Sequence, residues 1–231
     1  MKKKIIYIII AILLVFLLLF CTYKLMNSRT FQLFGGLTNS VETNQKVVAL
    51  TFDDGPTKNV DSVLAVLNHY NIKATFFLIG NEIETNQKEA EEIVKAGHQV
   101  GNHTYSHNRM IFKSTSFIKE EIEKTDNLIR RIGYEDEIDF RPPNGKKLLA
   151  LPYYLNKHKK DTITWNIEPD SAVDKIDYVK QNIKNGSIIL LHPMYDETGE
   201  QLKLIEDIIK LLLDEDYEFV TVNDLQKLKD E

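Results

Sequence analysis

Short apolar segments alternate with amphipathic helical segments through most of this chain. Residues 47–52 are almost entirely apolar, which predicts a buried strand, and residues 60–70 place valine and leucine at helical spacing. The same pair is predicted at residues 74–79 and 81–96, and a third short strand at residues 98–101. Apolar strands separated by helices are typical of a parallel sheet covered on both faces, because parallel strands need crossover connections.

The second half of the chain continues this alternation. Further elements are predicted as helices at residues 117–132, 175–184 and 201–213, and as strands at residues 138–141, 162–165, 187–191 and 218–222. About seven strand–helix units imply an α/β fold with helices outside a parallel sheet. Periodicity does not distinguish an open sheet from a closed barrel. In a closed barrel the functional site lies at the carboxyl ends of the strands.

The start of the chain differs in composition from the rest. Three lysines at residues 2–4 precede an apolar run at residues 5–21, which only Tyr7 interrupts and which is about long enough to cross a membrane. A cleaved signal peptide would have a shorter apolar region and a small-x-small cleavage site, and residues 20–23 offer neither. A buried core helix is disfavoured because the run has no polar face. The sequence therefore predicts an uncleaved, single-pass transmembrane helix.

This anchor predicts how the chain is divided. Residues 1–26 would comprise the cytoplasmic lysines and the membrane helix, because lysines tend to stay on the cytoplasmic side. Residues 27–44 are polar and include Gly35 and Gly36, which is typical of a linker. Residues 45–231 would then form one folded domain, located outside the cytoplasm at the cell membrane.

Cysteine content and charge exclude some classes of protein. Cys21 is the only cysteine, so the chain cannot form an internal disulfide. Lipid attachment at Cys21 is disfavoured because the bulky Phe20 precedes it. Five of the 29 basic residues but one of the 34 acidic residues lie before residue 45, so the remainder has a net charge of −9. An acidic domain without a basic stripe is not expected to bind nucleic acid. No sequence feature indicates an oligomeric state.

Two polar clusters directly follow predicted strands. Residues 51–56 (TFDDGP) place Asp53 and Asp54 between an apolar strand and a Gly-Pro turn. A helix N-cap with a solvated partner would explain this pair about as well as a catalytic role. In the second cluster, His103 and His107 stand four residues apart. On a helical turn both imidazoles would share one face and could bind one metal together with a carboxylate.

Two more clusters occupy similar positions. Residues 140–145 (FRPPNG) and residues 189–193 (ILLHP) each follow or end a predicted strand. Either one alone could be a turn. Four polar clusters at four strand ends are harder to attribute to chance, because the carboxyl ends of parallel strands meet at one edge of a sheet.

These four clusters, in this order, resemble the polysaccharide deacetylases of carbohydrate esterase family 4, which share the NodB homology domain. The resemblance covers roughly residues 47–225 and rests on TFDDGP, HTxxH, RPP and LLHP. It implies a distorted (β/α) barrel and the metal-dependent hydrolysis of N-acetyl or, less often, O-acetyl groups on polysaccharides.

The resemblance also implies a role for each matching residue. It makes Asp54, His103 and His107 the ligands of a divalent metal, with zinc as the first expectation and cobalt, nickel or another first-row ion as alternatives. Asp53 would be the general base that accepts a proton from water, and His192 the general acid that protonates the departing amine.

Two further roles follow from the same resemblance. Arg141 would keep Asp53 ionised and oriented through a charge-assisted pair. A backbone N–H just after Pro143 would stabilise the tetrahedral oxyanion.

The sequence departs from the family pattern at two places. Asn144 stands where many relatives have an aromatic residue, so the sequence leaves undecided whether this position contacts the face of the sugar. The motif that usually ends in Asp-Trp reads WNIEPDS at residues 165–171, and we prefer Asp170 to Glu168 as the partner of the acid histidine. The final Trp of the family motif is missing, so part of the wall of the substrate pocket must come from elsewhere. The candidates for that wall are Tyr105, Tyr195 and Trp165, the last of which is about as plausible in the core.

The expected function is deacetylation of an amino-sugar polymer of the cell envelope. Peptidoglycan is the first candidate, because an outward-facing anchored domain meets it first, and the sugar would be N-acetylglucosamine or N-acetylmuramic acid. Chitin oligomers and poly-N-acetylglucosamine are alternative substrates, and another acyl amide is a further one. An inactive glycan-binding domain is the alternative from another class, since fold alone does not prove function.

Overall fold

The computed structural model describes residues 2–230. These residues contain seven strands: β1 (Leu37–Thr38), β2 (Val47–Asp53), β3 (Thr75–Leu78), β4 (Gln99–Asn102), β5 (Thr162–Ile163), β6 (Ser187–Leu191) and β7 (Glu218–Val220). They also contain nine α-helices: α1 (Lys2–Asn27), α2 (Val60–His69), α3 (Gly80–Thr85), α4 (Gln87–Lys95), α5 (Thr115–Arg131), α6 (Ala150–Lys157), α7 (Lys175–Asn182), α8 (Glu200–Asp214) and α9 (Val222–Lys227).

The main sheet is parallel and is built around β2. Its order is β4-β3-β2-β6, and β7 pairs with the first half of β2. Every residue of β2 is buried. A strand covered on both faces has no polar side to show to water, which explains its continuous apolar sequence.

Single bridges extend the sheet beyond these strands. Phe140 bridges Asn102 of β4 to Thr162 of β5, and Ile167 bridges to Ile189 of β6. The strands and bridges therefore follow one another around a distorted (β/α) barrel, which confirms the predicted fold class. The strand predicted at residues 138–141 is reduced to the bridge at Phe140.

The two faces of β2 face different parts of the core. Val48, Leu50 and Phe52 pack with the outer helices, among them α2 and α8. Ala49, on the other face, packs in a separate hydrophobic cluster with side chains from β3, β5 and β6. Because strand side chains alternate, Thr51 and Asp53 share the face of Ala49 and point toward the interior of the barrel.

The helices differ from the sequence predictions at three places. The helix predicted at residues 81–96 is divided into α3 and α4 at Asn86, whose φ of −124° is not helical. The Asn86 side chain donates a hydrogen bond to the backbone oxygen of Pro56 at 2.8 Å and so joins this break to the loop after β2. Helices α6 and α9 were not predicted from the sequence, and α9 begins at Val222, the last residue of the strand predicted at residues 218–222. Helix α6 contains Pro152 in its first turn, where the missing N–H costs no helical hydrogen bond.

Helix α1 is long and apolar enough to cross a membrane. Within the described residues it is the one such candidate, with a span at Lys3–Asn27, and its most apolar stretch is not buried. Length and composition of this kind are shared by membrane anchors and signal sequences. Its role and orientation as an anchor remain predictions.

The predicted linker packs on the domain over part of its length. β1 pairs in parallel with β5, and Val41 is 2% exposed. The Val41 N–H donates to the backbone oxygen of Gly186 at 2.9 Å. Residues 37–41 are therefore not a free tether, because their backbone and side chains are used in pairing and burial.

Candidate active site

The polar side chains of the site stand at the carboxyl ends of parallel elements. Asp53 ends β2, His103 directly follows β4, and His192 directly follows β6. Arg141 follows the bridge residue Phe140. Since these segments run in the same direction, their ends bring the four side chains to one edge of the sheet.

Asp53 and Asp54 are neighbours, yet both face the site. Asp53 continues the inward face of β2. Asp54 has a φ of +73°, in the left-handed region, and this ends the alternation of strand side chains. Oδ2 of Asp53 and Oδ1 of Asp54 consequently lie 3.6 Å and 3.8 Å from Nε2 of His103.

Asp54, His103 and His107 form a group that fits a divalent metal. One ligand atom from each lies within 4.8 Å of the others, and Nε2 of His107 is 3.3 Å from Oδ1 of Asp54. Within residues 2–230, the buried Oδ1 of Asp54 has no hydrogen-bond partner. Burying an acceptor without a partner is unfavourable, so a cation bound here would satisfy it. Two imidazoles and one carboxylate suit zinc and leave coordination positions open.

His103 is held in the form that a metal binds. Its Nδ1–H donates to the backbone oxygen of Arg141 at 2.8 Å, which leaves Nε2 unprotonated in the neutral ring. Burial is the largest influence on the pKa of His103 and lowers it, against the charges of Asp53 and Asp54. The imidazole is therefore neutral, as metal ligation requires.

The loop that joins the two histidines is bent, whereas the four-residue spacing predicted a helical turn. Thr104 and His107 have φ values of +69° and +55°. Glu121 of α5 holds the loop, because its buried carboxylate accepts hydrogen bonds from the N–H groups of residues 105–106 at 3.1 Å and 2.9 Å. The histidines converge through this external support and not through helical periodicity.

Asp53 is paired with a fully buried arginine. Nη1 of Arg141 donates to Oδ1 of Asp53 at 2.6 Å and to Oγ1 of Thr51 at 2.8 Å. Burial alone would raise the pKa of Asp53, but the charge and the hydrogen bond of Arg141, with a further contribution from the charge of His192, lower it overall. Asp53 is thus ionised and held in one orientation, as a base must be.

His192 is paired with Asp170 on the other side of the site. Its Nδ1–H donates to Oδ2 of Asp170 at 2.8 Å, and Nε2 of Gln201 donates to Oδ1 of the same carboxylate at 2.8 Å. Burial alone would lower the pKa of His192, but the bond to Asp170 and the charges of Asp53 and Asp54 raise it overall. His192 also lines the cavity, so the other side of its ring can reach a molecule bound in the site.

Glu168, the other carboxylate considered for this pairing, has different partners. Its Oε2 accepts hydrogen bonds from Nε1 of Trp165 at 3.1 Å and from Nη2 of Arg29 at 2.5 Å. Trp165 is 3% exposed, and the guanidinium groups of Arg29 and Arg141 lie 4.6 Å and 5.5 Å from its ring centre. Trp165 is thus a covered wall of the site and not an open platform for a sugar.

One cavity of about 180 Å³ joins these groups. Asp53, the three candidate metal ligands and His192 line it, together with Asn144, Trp165, Glu168 and Arg29. A larger cavity of about 770 Å³ lies beside the first residues of β4. In the described part of the chain, the set of Asp54, His103 and His107 is the one cluster of three that fits a metal, and it lies in the smaller cavity.

Of the two predicted contacts after Arg141, the structure places Asn144 at the cavity, while Pro143 is not among the residues that line it. Pro143 is buried and begins a 3-10 turn, Pro143–Gly145. Asn144 lines the cavity with a φ of +54°, and its Oδ1 accepts a hydrogen bond from Nε of Arg109 at 2.9 Å. An arginine–asparagine pair therefore occupies the position where many relatives carry an aromatic side chain.

The structure does not place Tyr105 among the residues that line the cavity. Its hydroxyl donates to Oε2 of Glu84 at 2.7 Å, and Nζ of Lys124 lies 3.5 Å from its ring centre. The backbone of Tyr105 is thus bonded to Glu121 of α5, while its side chain contacts Glu84 of α3. Tyr195 is 57% exposed as a whole, but partial burial of its hydroxyl, with the charges of Glu82 and Asp54, raises its pKa to about 12.

Four residues that shape the site were not predicted from the sequence. Thr51 could have been found, because it lies two residues before Asp53 on the same strand face. Glu121 and Gln201 lie on charged amphipathic helices, where a side chain that supports a site has the same local pattern as a solvated one. Arg29 lies in the predicted linker and belongs to no motif.

Comparisons with known proteins identify the family. The family model described as "Polysaccharide deacetylase" matches residues 40–163. The chain therefore belongs to the polysaccharide deacetylase family.

Several named proteins are similar over most of this chain. The peptidoglycan-N-acetylglucosamine deacetylase of Bacillus cereus is 31% identical over 84% of this chain and 95% of that protein. The peptidoglycan-N-acetylmuramic acid deacetylase PdaC of Bacillus subtilis is 32% identical over 82% of this chain. The chain spans 41% of the length of PdaC and 31% of another curated relative.

The fold has a close counterpart among solved structures. The crystal structure of the Bc1960 peptidoglycan N-acetylglucosamine deacetylase matches with a TM-score of 0.76 and 30% identity. The match covers 81% of this chain and 91% of that one.

Proposed function

We propose that this chain hydrolyses N-acetyl groups from an amino-sugar polymer, with a divalent metal held by Asp54, His103 and His107. The observation that most supports this function is that Asp53 and His192 line the same cavity as those ligands. Hydrolysis of an amide needs a base for the attacking water and an acid for the departing amine. Zinc is the first candidate metal, and cobalt or nickel suits the same donors.

Asp53 acts as the base in this proposal. When bound, the metal would supply polarisation of the acetamide carbonyl and a lower pKa for a water molecule. Asp53 accepts the proton of that water through the oxygen that Arg141 does not hold. Arg141 keeps the carboxylate ionised and fixed, so little reorganisation is needed when the proton moves.

His192 acts as the acid. An amine leaves poorly as an anion, so its nitrogen must be protonated as the C–N bond breaks. His192 donates the proton from Nε2, while Nδ1–H stays bonded to Asp170. The raised pKa of His192 keeps the imidazolium populated to higher pH than an unpaired histidine would allow.

The oxyanion of the tetrahedral intermediate needs a fixed donor. We propose the backbone N–H of Asn144, the residue that follows Pro143 and lines the cavity. Replacing the usual aromatic side chain by asparagine keeps this donor, since it belongs to the backbone.

Peptidoglycan is the substrate we propose, at N-acetylglucosamine or N-acetylmuramic acid. The relatives described above act on these two sugars according to their names. We also propose that α1 anchors the chain in the cell membrane with the catalytic domain outside the cytoplasm. An acidic domain offers no electrostatic steering toward an anionic wall, so recognition would depend on the cleft itself.

Acetate release by the purified full-length chain in detergent micelles, supplied with zinc, tests this function. The substrates are intact peptidoglycan and N-acetylglucosamine oligomers, and mass spectrometry locates the free amine. We expect acetate from peptidoglycan with a new amine on one of its two sugars. Acetate from the oligomers alone would instead favour a chitin-type or poly-N-acetylglucosamine substrate. Metal binding without acetate from either would contradict deacetylation and favour another acyl group or a glycan-binding role.

A further inference from the structure

Arg29 connects the end of the N-terminal helix to the active-site cavity. It lies two residues after Asn27, the last residue of α1, and it lines the same cavity as Asp53 and His192. Two residues of extended chain reach at most about 7 Å. One wall of the active site is therefore built from the segment next to the membrane helix candidate.

Three contacts fix Arg29 in this wall. Its Nη2 donates to Oε2 of Glu168 at 2.5 Å, and its guanidinium lies 4.6 Å from the centre of the Trp165 ring. Its backbone oxygen accepts a hydrogen bond from Oγ1 of Thr164 at 2.6 Å. Thr164 in turn accepts at its own backbone oxygen from Nη2 of Arg141, at 3.2 Å. The segment is thus tied to the arginine that holds the catalytic base.

The residues just before Arg29 are held as well. The Lys147 N–H donates to the backbone oxygen of Met26 at 3.3 Å, and its ammonium group donates to the backbone oxygen of Ser28. Lys147 is 1% exposed, and burial lowers its pKa to about 8. Lys146 donates to the side chain of Asn27. Both lysines directly follow the turn that contains Asn144. The segment that carries Arg29 and the turn that carries Asn144, which both line the cavity, are therefore bonded to each other.

The charge of Arg29 indicates what it can recognise. Glu168 already balances the charge, so the pair as a whole attracts an anion weakly. The guanidinium still has more N–H groups than the one that Glu168 engages, and the side chain is 47% exposed. Such a group suits uncharged acceptor oxygens, which are the hydroxyl, ether and carbonyl oxygens of a sugar.

We propose that Arg29 is a substrate-binding residue, which donates hydrogen bonds to uncharged oxygens of the sugar whose acetamido group reaches Asp53 and His192. This inference rests on the proposed deacetylase function and adds a specificity-determining residue to it. Arg29 transfers no proton and acts in binding alone. The substrate is then recognised partly by the segment that follows α1, although the residue motifs of the family lie after residue 47.

Kinetics of the full-length chain in detergent micelles test this role. A hydrogen bond from a charged donor contributes about 1.5–3 kcal/mol, so Arg29→Ala is expected to raise KM for N-acetylglucosamine oligomers about 10- to 100-fold, with kcat changed less than about threefold. Arg29→Lys keeps the charge but not the planar group, and is expected to recover part of the loss. Arg131→Ala removes an exposed arginine of α5 and should leave both constants unchanged.

Binding without turnover separates this inference from the proposed function. Trp165 is the only tryptophan in the chain, so intrinsic fluorescence reports on the wall that Arg29 covers. In an Asp53→Asn background, the oligomer should change this fluorescence with saturation, and Arg29→Ala should weaken that binding about 10- to 100-fold. Unchanged KM and unchanged binding in Arg29→Ala would overturn the inference. Binding that depends on Arg29, with no acetate from the wild-type chain, would uphold it while contradicting deacetylation.

Discussion

At the scale of single residues, two adjacent carboxylates have opposite surroundings. Asp53 is bonded to Arg141 at 2.6 Å and to no candidate metal ligand at hydrogen-bonding distance. Asp54 has a buried oxygen without a hydrogen-bond partner among the described residues, close to His103 and His107. The two side chains are chemically identical, so their different neighbours are what suit Asp53 to act as a base and Asp54 to act as a metal ligand.

Asp53→Asn and His103→Ala should have different effects on metal content. Asparagine keeps the shape of the side chain but accepts no proton, so kcat should fall at least about 100-fold while bound metal stays unchanged. His103→Ala removes a ligand and should lose both metal and activity. Metal analysis alongside acetate release measures both. Asp61→Asn, at an exposed site on α2, is the matched control.

Full activity in Asp53→Asn would contradict its role as the base. Undiminished metal in His103→Ala would contradict the ligand assignment.

The pair of His192 and Asp170 predicts how activity depends on pH. The acid must be protonated, and Asp170 helps to raise the pKa of His192, so activity on the alkaline side is lost as pH rises through that pKa. Asp170→Asn removes the negative partner and should move the alkaline limb of kcat/KM to lower pH. The pH profile of both proteins, with metal content checked at each pH, measures this shift. An alkaline limb at the same pH in both would show that another group sets it.

At the scale of elements, helix α5 supports the metal site from outside the barrel. Its Glu121 is 5% exposed and accepts three hydrogen bonds from Tyr105 and Ser106, at 2.7 Å to 3.1 Å. These contacts hold the loop between His103 and His107. Groups that orient ligands in this way contribute to metal affinity without touching the metal.

Glu121→Ala should therefore weaken metal binding about 10- to 100-fold, because the loop loses its support. Competition with a chelator measures the affinity, and circular dichroism checks that the helix persists. Glu120→Ala, on the exposed face of the same helix, should bind metal like the wild-type chain. Equal affinities for all three proteins would mean that the loop is fixed by its own backbone.

A second prediction at this scale concerns Gly186, which lies close to the backbone of Val41 in the segment before β2. A Cβ at Gly186, where φ is +73°, would lie 1.8 Å from the backbone oxygen of Val41. Gly199 has a similar φ of +79° with nothing within 4 Å of a Cβ. Gly199→Ala should cost about 1–2 kcal/mol from backbone strain alone, and Gly186→Ala about 1–3 kcal/mol more from overpacking.

Urea unfolding in detergent, followed by Trp165 fluorescence, measures the two losses. Equal losses would show that residues 37–41 leave the domain at no cost and form the free tether that the sequence predicts.

Elements with a strong local pattern, either a helical period or a continuous apolar run, are the ones that the sequence predicts well. The helix expected at residues 117–132 is found at Thr115–Arg131, and the strand expected at residues 187–191 is found at Ser187–Leu191. The strand expected at residues 138–141 has one bridging residue, because its pairing depends on β4 and β5, which lie far away in sequence. Local pattern reports burial but not the partner of a strand.

The same reasoning separates the predictable part of the site from the rest. Asp54, His103 and His192 belong to short motifs at strand ends, and the topology of a parallel sheet brings them together. Arg29 is 139 residues from its partner Glu168, so no local pattern connects them. Residues of this second kind become visible only when the chain is folded.

At the scale of the whole molecule, the apolar helix and the cavity are linked by a short segment. Arg29 is six residues beyond Tyr23, which we expect at the membrane interface. If α1 spans the membrane as proposed, the cavity opens close to the lipid surface. Its substrate would then be glycan within reach of that surface.

Restoration of activity by metal tests the central claim most directly. The full-length chain is stripped with a chelator, reloaded with zinc or cobalt in steps, and assayed for acetate release from N-acetylglucosamine oligomers and from peptidoglycan. We predict no acetate from the stripped chain, full recovery at about one metal per chain, and no recovery in His103→Ala. Acetate release that survives complete removal of metal, or one bound metal without any acetate, would contradict the account.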